Sequence, residues 1–170
     1  MKTQNLQNGD LLFTIGQSDM AAAIRTATGS YSHVGIFFDG EMYHATEDKG
    51  VIRQPLTQFL KEEDVYHAFF YPDIDALAVF EEAKSHLGKP YNASFYPESE
   101  GFYCSEYIAR ILPIFETIPM QFGDGENAVS SFWQAYYRDL GLTVPLGQPG
   151  TNPSQLAQST KLIFRGVLYD

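Results

Sequence analysis

Three consecutive stretches restrict this chain more than any others: Tyr31-Ser32-His33-Val34-Gly35-Ile36-Phe37-Phe38, the pair Asp39-Gly40, and Glu41-Met42-Tyr43-His44-Ala45-Thr46. Asp-Gly between two β-prone runs is a strong signal for a two-residue hairpin, because both turn positions require positive φ. A two-residue loop also sets the register. Phe38 falls opposite Glu41, Gly35 faces His44 and His33 faces Thr46. His33 and His44 then share one sheet face as diagonal neighbours, with Cβ atoms at most about 7–8 Å apart, close enough for two imidazoles to hydrogen-bond. A loop of odd length would reverse the parity and separate them. One histidine in a strand is ordinarily structural; two on one face across a hairpin point to a joint role.

The second feature arrives much later. Phe102-Tyr103-Cys104-Ser105-Glu106 opens an apolar run from Tyr103 to Leu112, with Tyr107, Ile108, Ile111 and Leu112 on one helical face and Pro113 halting it. A lone cysteine is most often a small buried hydrophobe. Cys104 differs in position, because its sulfur falls at a helix N-terminus. Free amides and the helix dipole there favour thiolate, the nucleophilic form. The same amides can hold an oxyanion, and a neighbouring imidazole would lower the thiol pKa further. On this reading Cys104 is a nucleophile, His33 its general base and His44 the residue that orients His33. Tyr31, Ser32, Tyr103 and the loop before it are candidates for lining a substrate cleft.

A metal centre is the chemical rival. Zinc takes three or four Cys, His or carboxylate ligands at close spacing, and one Cys with two His is a poor set. No metal or cofactor is therefore expected. His67 lies in a strand and His86 near a helix C-terminus; both read as structural. Glu47 is the nearest carboxylate to His44, but strand parity sends it to the opposite face.

The other segments supply a frame. Leu11–Ile15 reads as a buried strand, and Ser18-Asp19 caps an Ala-rich helix from Met20 to Thr26 that Gly29 ends. Val51-Ile52 is a further short strand, with Pro55 opening a helix through Leu60. Val65–Tyr71 has strand composition, Asp75–Leu87 shows helical spacing, and 91–100 is a loop. Ser131–Leu140 forms a helix, Val144–Ser159 is a Pro/Gly/Gln/Asn loop, and Lys161–Leu168 is a closing strand. No repeat or linker interrupts residues 1–170, which read as one domain. The class is α+β, a mainly antiparallel sheet packed with helices.

The balance of 21 acidic against 11 basic residues gives a net charge of -10, which argues against nucleic acid and against an anionic membrane surface. No apolar stretch approaches the roughly 20 residues of a membrane span. Residues 1–8 lack the apolar core of a signal peptide. The cell envelope or periplasm is implied if such a peptide has been removed, the cytoplasm otherwise.

Four motifs, in this order, carry a family resemblance: Gly9-Asp10-Leu11-Leu12-Phe13, Ser32-His33-Val34-Gly35-Ile36, Gly88-Lys89-Pro90-Tyr91-Asn92 and Tyr103-Cys104-Ser105-Glu106. Together they resemble the circularly permuted branch of the NlpC-type cell-wall peptidase superfamily, the YiiX/YebB-like proteins. Lecithin-retinol acyltransferase belongs to the same permuted group. The likeness runs from Gly9 to about Leu112, and the tail from Trp133 to Thr160 is also similar. It implies a permuted papain-like fold in which histidine precedes cysteine. Cys104 then matches the nucleophile, His33 the base and His44 the third polar residue, often a carboxylate in YiiX-like proteins and a histidine in the acyltransferases. A neutral third residue stabilises imidazolium less than a carboxylate does.

The implied activity is that of a cysteine peptidase or amidase working through a thioester, on cell-wall peptide fragments or other short peptides and amides. Two alternatives stand beside it. A thiol-dependent acyltransferase or lipid hydrolase would require a lipid acyl donor. A binding module on the same fold would carry an unreactive thiol.

Overall fold

The computed structural model describes residues 1–169. Its frame is a six-stranded antiparallel sheet of strand order β4-β3-β2-β1-β5-β8. The strands are β1 (Leu11–Ile15), β2 (His33–Phe38), β3 (Glu41–Thr46), β4 (Gly50–Pro55), β5 (Val65–Phe70) and β8 (Ile163–Val167). β1 is central and almost wholly buried, which explains its unbroken apolar run, since a strand covered on both faces has no polar alternation to show.

The helix α1 (Asp19–Thr28) connects β1 to β2, so helices are interleaved with strands rather than confined to the ends of the sheet. The Ser18 hydroxyl caps it by accepting from the Ala21 amide at 3.1 Å. On one face of the sheet, Val34, Ile36, Phe38, Tyr43, Ala45 and Val51 pack against α3 (Ala76–Ser85) and α4 (Cys104–Ile111). Tyr107, Ile108 and Ile111 of α4 are buried in that layer, and the Tyr107 hydroxyl donates to the Ala83 carbonyl of α3 at 2.9 Å. Truncating Ile108 to Ala would remove about 2–5 kcal/mol of stability. The opposite face carries a smaller core of Leu12, Phe37, Met42, Phe59, Tyr66 and Ala68, closed by α2 (Leu56–Phe59). A third, aromatic cluster joins Phe95, Tyr103, Phe122, Trp133 and Tyr137 between the 91–103 segment and α5 (Ser131–Leu140).

Two segments differ from the sequence reading. β4 runs to Pro55 instead of stopping at Ile52. It is an edge strand with half-exposed Gln54 and exposed Arg53, and the apolar signal fades where one side of a strand meets water. The 144–159 stretch is not all loop: β7 (Pro149–Gly150) pairs with β6 (Ile118–Pro119), and α6 (Pro153–Ala157) follows. Asn152 and Gln155 form a reciprocal cap, with the Asn152 side-chain Oδ1 accepting from the Gln155 backbone amide at 2.8 Å and the Gln155 side-chain Oε1 from the Asn152 backbone amide at 3.1 Å. Pro153 sits at the first helical turn, where its missing N–H costs nothing.

Candidate active site

Asp39 and Gly40 both adopt positive φ, at 50° and 83°, the geometry of a tight two-residue turn. Phe38 pairs with Glu41 and Ile36 with Tyr43 in consequence. That register brings His33 and His44 together: the Nε2 of His33 lies 2.8 Å from the Nδ1 of His44, with the rings edge to face. The next strand continues the diagonal. His44 pairs with Ile52 and Met42 with Gln54, so Gln54 stands on the same face as His44. The His44 Nε2–H donates to the Gln54 side-chain oxygen at 2.5 Å. Phe59 closes the pair from below, its ring centroid 4.9 Å from that of His44.

Cys104 is delivered by a backbone clasp. The Phe102 amide donates to the Pro90 carbonyl at 3.0 Å and the Asn92 amide to the Phe102 carbonyl at 3.1 Å. Gly101 allows this approach, because its φ is +84° and a Cβ there would lie 2.0 Å from the Pro90 oxygen. The Glu106 carboxyl then accepts from the Tyr103 amide at 3.1 Å and from the Asn92 side chain at 3.2 Å, fixing the first turn of α4. Cys104 is the first residue of that helix. Its sulfur faces the amides of Ser105, of Cys104 itself and of Val34, the residue next to His33.

Cys104, His33, His44, Ser32 and Tyr103 all line one cavity of about 800 Å³. Tyr31 does not: its hydroxyl bonds the Nδ1 of His67 at 2.6 Å and its ring packs against Phe13 and Phe69, a structural strut behind the sheet. The Ser32 hydroxyl is committed to backbone, accepting from Gly16 at 3.0 Å and donating to Thr14 at 3.2 Å. The Tyr103 hydroxyl accepts from the Thr151 amide at 3.1 Å. The Ser32 hydroxyl thus shapes the wall with both its roles taken, whereas Tyr103 is engaged as an acceptor.

Several lining residues were outside the sequence reading. Gln54 and the segment Gly150–Pro153 reach the cavity, beside Tyr91 and Phe95 of the loop before Tyr103. Gln54 could have been found by extending the hairpin register one strand further. Glu47 also lines it, because β3 ends at Thr46 and the turn that follows is not bound by strand parity.

Burial governs the charges. It pushes the Cys104 thiol up to about 12, against the pull of the Val34 and Ser105 amides, and the Glu47 carboxylate adds to the rise. Burial likewise pushes His33 down to about 3, with His44 and Lys61 contributing. His44 falls to about 4 for the same first reason, although the Gln54 bond and Asp48 oppose it. The resting site is therefore a protonated thiol beside two neutral imidazoles. Burial thus works against the thiolate that the amides at the helix N-terminus favour. Moving the proton from sulfur to imidazole creates adjacent opposite charges instead of one isolated charge, which a low-dielectric cavity tolerates far better.

A permuted, largely antiparallel papain-like sheet with cysteine at a helix N-terminus and histidine at a strand entrance defines a class of thiol-bearing amidase folds. The family model of the permuted papain-like amidases, YaeF/YiiX type, C92 family, matches residues 5–163, and the chain belongs to that family.

The chain is 30% identical over 114 residues to the uncharacterized protein YiiX of Escherichia coli (strain K12), covering 62% of this chain and 56% of that protein. It is 32% identical over 120 residues to the Gamma-DL-glutamyl hydrolase of Bacillus subtilis (strain 168), covering 65% of this chain and 26% of that protein. The match thus spans about half of one relative and a quarter of the other. The crystal structure of metalloprotein yiiX from Escherichia coli O157:H7 superposes with a TM-score of 0.77 at 25% identity, covering 94% of this chain and 96% of that one.

A metal ion does not fit the residues present here. Among the described residues no three His, Cys, Asp or Glu side chains gather as a ligand set, and the facing nitrogens of His33 and His44 are spent on each other. Nor is any described helix long and apolar enough to cross a membrane.

Proposed function

We propose that this chain is a cysteine amidase in which Cys104 is the nucleophile, His33 the general base and acid, and His44 the residue that orients His33. The observation that carries the reading is the meeting of two independent features at one cavity. The first residue of α4 is the chain's single cysteine, and its sulfur rests on the amide next to a histidine already clamped by a second histidine.

As the Cys104 sulfur attacks an amide carbonyl carbon, its proton passes to the Nδ1 of His33, the ring nitrogen not engaged by His44. The carbonyl oxygen becomes an oxyanion beside the amides of the α4 N-terminus. His33 returns the proton to the leaving nitrogen, the C–N bond breaks, and a thioester remains. Water, deprotonated by the same imidazole, attacks the thioester carbonyl; the acid departs and the proton restores the thiol.

The substrate class we infer is short peptides and peptide amides, cell-wall peptide fragments among them. The hydrolase name of the Bacillus subtilis relative makes γ-glutamyl amide bonds the first to try. A second reading, acyl transfer from an apolar acyl donor, draws on the cavity wall made by Met20, Ile24, Met120 and Phe122.

Incubation with γ-glutamyl and cell-wall peptides, followed by amine release, tests the proposal. Cys104→Ala is expected to abolish turnover, His33→Ala to lower it by at least about 100-fold, and hydroxylamine to intercept the thioester as a hydroxamate. Turnover that survives Cys104→Ala would refute it. Hydroxamate formed only from lipid acyl donors would favour the second reading.

A further inference from the structure

We infer that Gln54 is a positioning residue that sets the tautomer of both histidines, so that the Nδ1 of His33, the nitrogen proposed above to take the Cys104 proton, carries the lone pair. The inference rests on the roles of Cys104 and His33 proposed above and adds a fourth member to them.

The argument follows the protons inward from the edge of the sheet. The Gln54 side-chain oxygen has no hydrogen to give, so the His44 nitrogen 2.5 Å from it must donate. The pocket holds His44 neutral, and a neutral imidazole carries one N–H. With that hydrogen on Nε2, the Nδ1 of His44 can only accept. The His33 Nε2 that lies 2.8 Å from it must then be the donor. His33 is also neutral, so its remaining nitrogen, Nδ1, is bare. That is the form needed to take the thiol proton. When His33 becomes imidazolium its Nε2–H still points at a lone pair, and the chain needs no rearrangement.

The alternative shows what Gln54 prevents. Without its oxygen, His44 is free to place its hydrogen on Nδ1. His33 must then accept through Nε2 and carry its own hydrogen on Nδ1. A donor at that point cannot act as base. The groups facing the pair do not fix this choice: Lys61 and Asp48 act on His44 by charge, Phe59 contributes an apolar ring, and Lys61 and His44 are the charges acting on His33.

Two variants and two readouts test it. Gln54→Leu fills the same space without an acceptor; Gln54→Glu keeps an acceptor and adds charge. Ring-nitrogen NMR of the wild type is expected to show hydrogen on Nε2 of both histidines, and mixed tautomers in Gln54→Leu. Alkylation of Cys104 by iodoacetamide at neutral pH is expected to slow by roughly 100-fold in Gln54→Leu, the low end of what a placed general base contributes. In Gln54→Glu it is expected to stay within a few-fold of wild type, with its acid limb displaced to higher pH because a carboxylate stabilises the imidazolium chain.

A purely structural Gln54 would let the two variants behave alike and would leave the tautomer unmoved. Wild-type His44 bearing its hydrogen on Nδ1 overturns the inference whatever the activity. Alkylation that slows in His33→Ala but not in Gln54→Leu overturns the Gln54 role and leaves the amidase reading standing. Alkylation indifferent to His33 overturns both.

Discussion

Lowering the pH from 7.5 to 4 is expected to destabilise the wild type substantially more than a His33→Leu variant, because the fold holds His33 without its proton. The sign follows from the direction of the shift. A histidine whose folded pKa is depressed contributes stability that is present above its unfolded value of 6.5 and lost as pH falls toward its folded value of about 3. At pH 4 the unfolded chain has taken up the proton and the folded chain has not. The resulting loss from this one group is about 3 kcal/mol, a large share of an ordinary domain's stability. The carboxylates titrate in both proteins and cancel in the comparison. Urea unfolding read by the single tryptophan, Trp133, buried at 2% exposure, measures the difference directly. Equal losses of stability in the two proteins between pH 7.5 and 4 would refute the claim that burial holds this imidazole neutral.

Arg165→Ala is expected to cost about 3–5 kcal/mol at neutral pH, because it strands the fully buried Asp10 carboxylate that Arg165 pairs with. Burial already raises the Asp10 pKa, so the deficit in urea unfolding shrinks as pH falls and Asp10 takes up a proton; a deficit independent of pH would refute this. Gly101→Ala combines positive φ with a clash against the Pro90 carbonyl and is expected to lose at least about 2 kcal/mol, read as a lower melting temperature. An unchanged melting temperature would remove the clasp from the account of Cys104. Tyr31→Phe gives up its bond to His67, for about 1 kcal/mol of stability, while amide hydrolysis stays within about 2-fold of wild type; a ten-fold loss of turnover would place its hydroxyl at the site after all.

How far the sequence discloses such a site depends on where in the sheet each part lies. His33 and His44 sit on β2 and β3, joined by a turn whose two residues alone dictate the register, so their meeting follows from local chemistry. Cys104 was legible for a related reason: helix start and apolar face are both local patterns, and they place the sulfur at an N-terminus without knowledge of the fold. The burial that opposes thiolate was not, because it depends on how completely other segments close the cavity. Gln54 lies one strand further out, on an edge where polar residues are tolerated and the strand pattern dissolves. Tyr31 failed in the opposite sense. It adjoins His33 in sequence, but its hydroxyl is taken by His67 of β5, a partner 36 residues away that no local rule supplies. The C-terminal wall at Gly150–Pro153 depends on Thr151, whose amide reaches Tyr103 and whose hydroxyl donates to Ser105 at 2.9 Å across 46 residues of chain. What the chain writes locally is therefore the placement of two histidines and a cysteine; what it leaves to tertiary packing is their protonation, which turns on burial and on the acceptor that Gln54 offers His44.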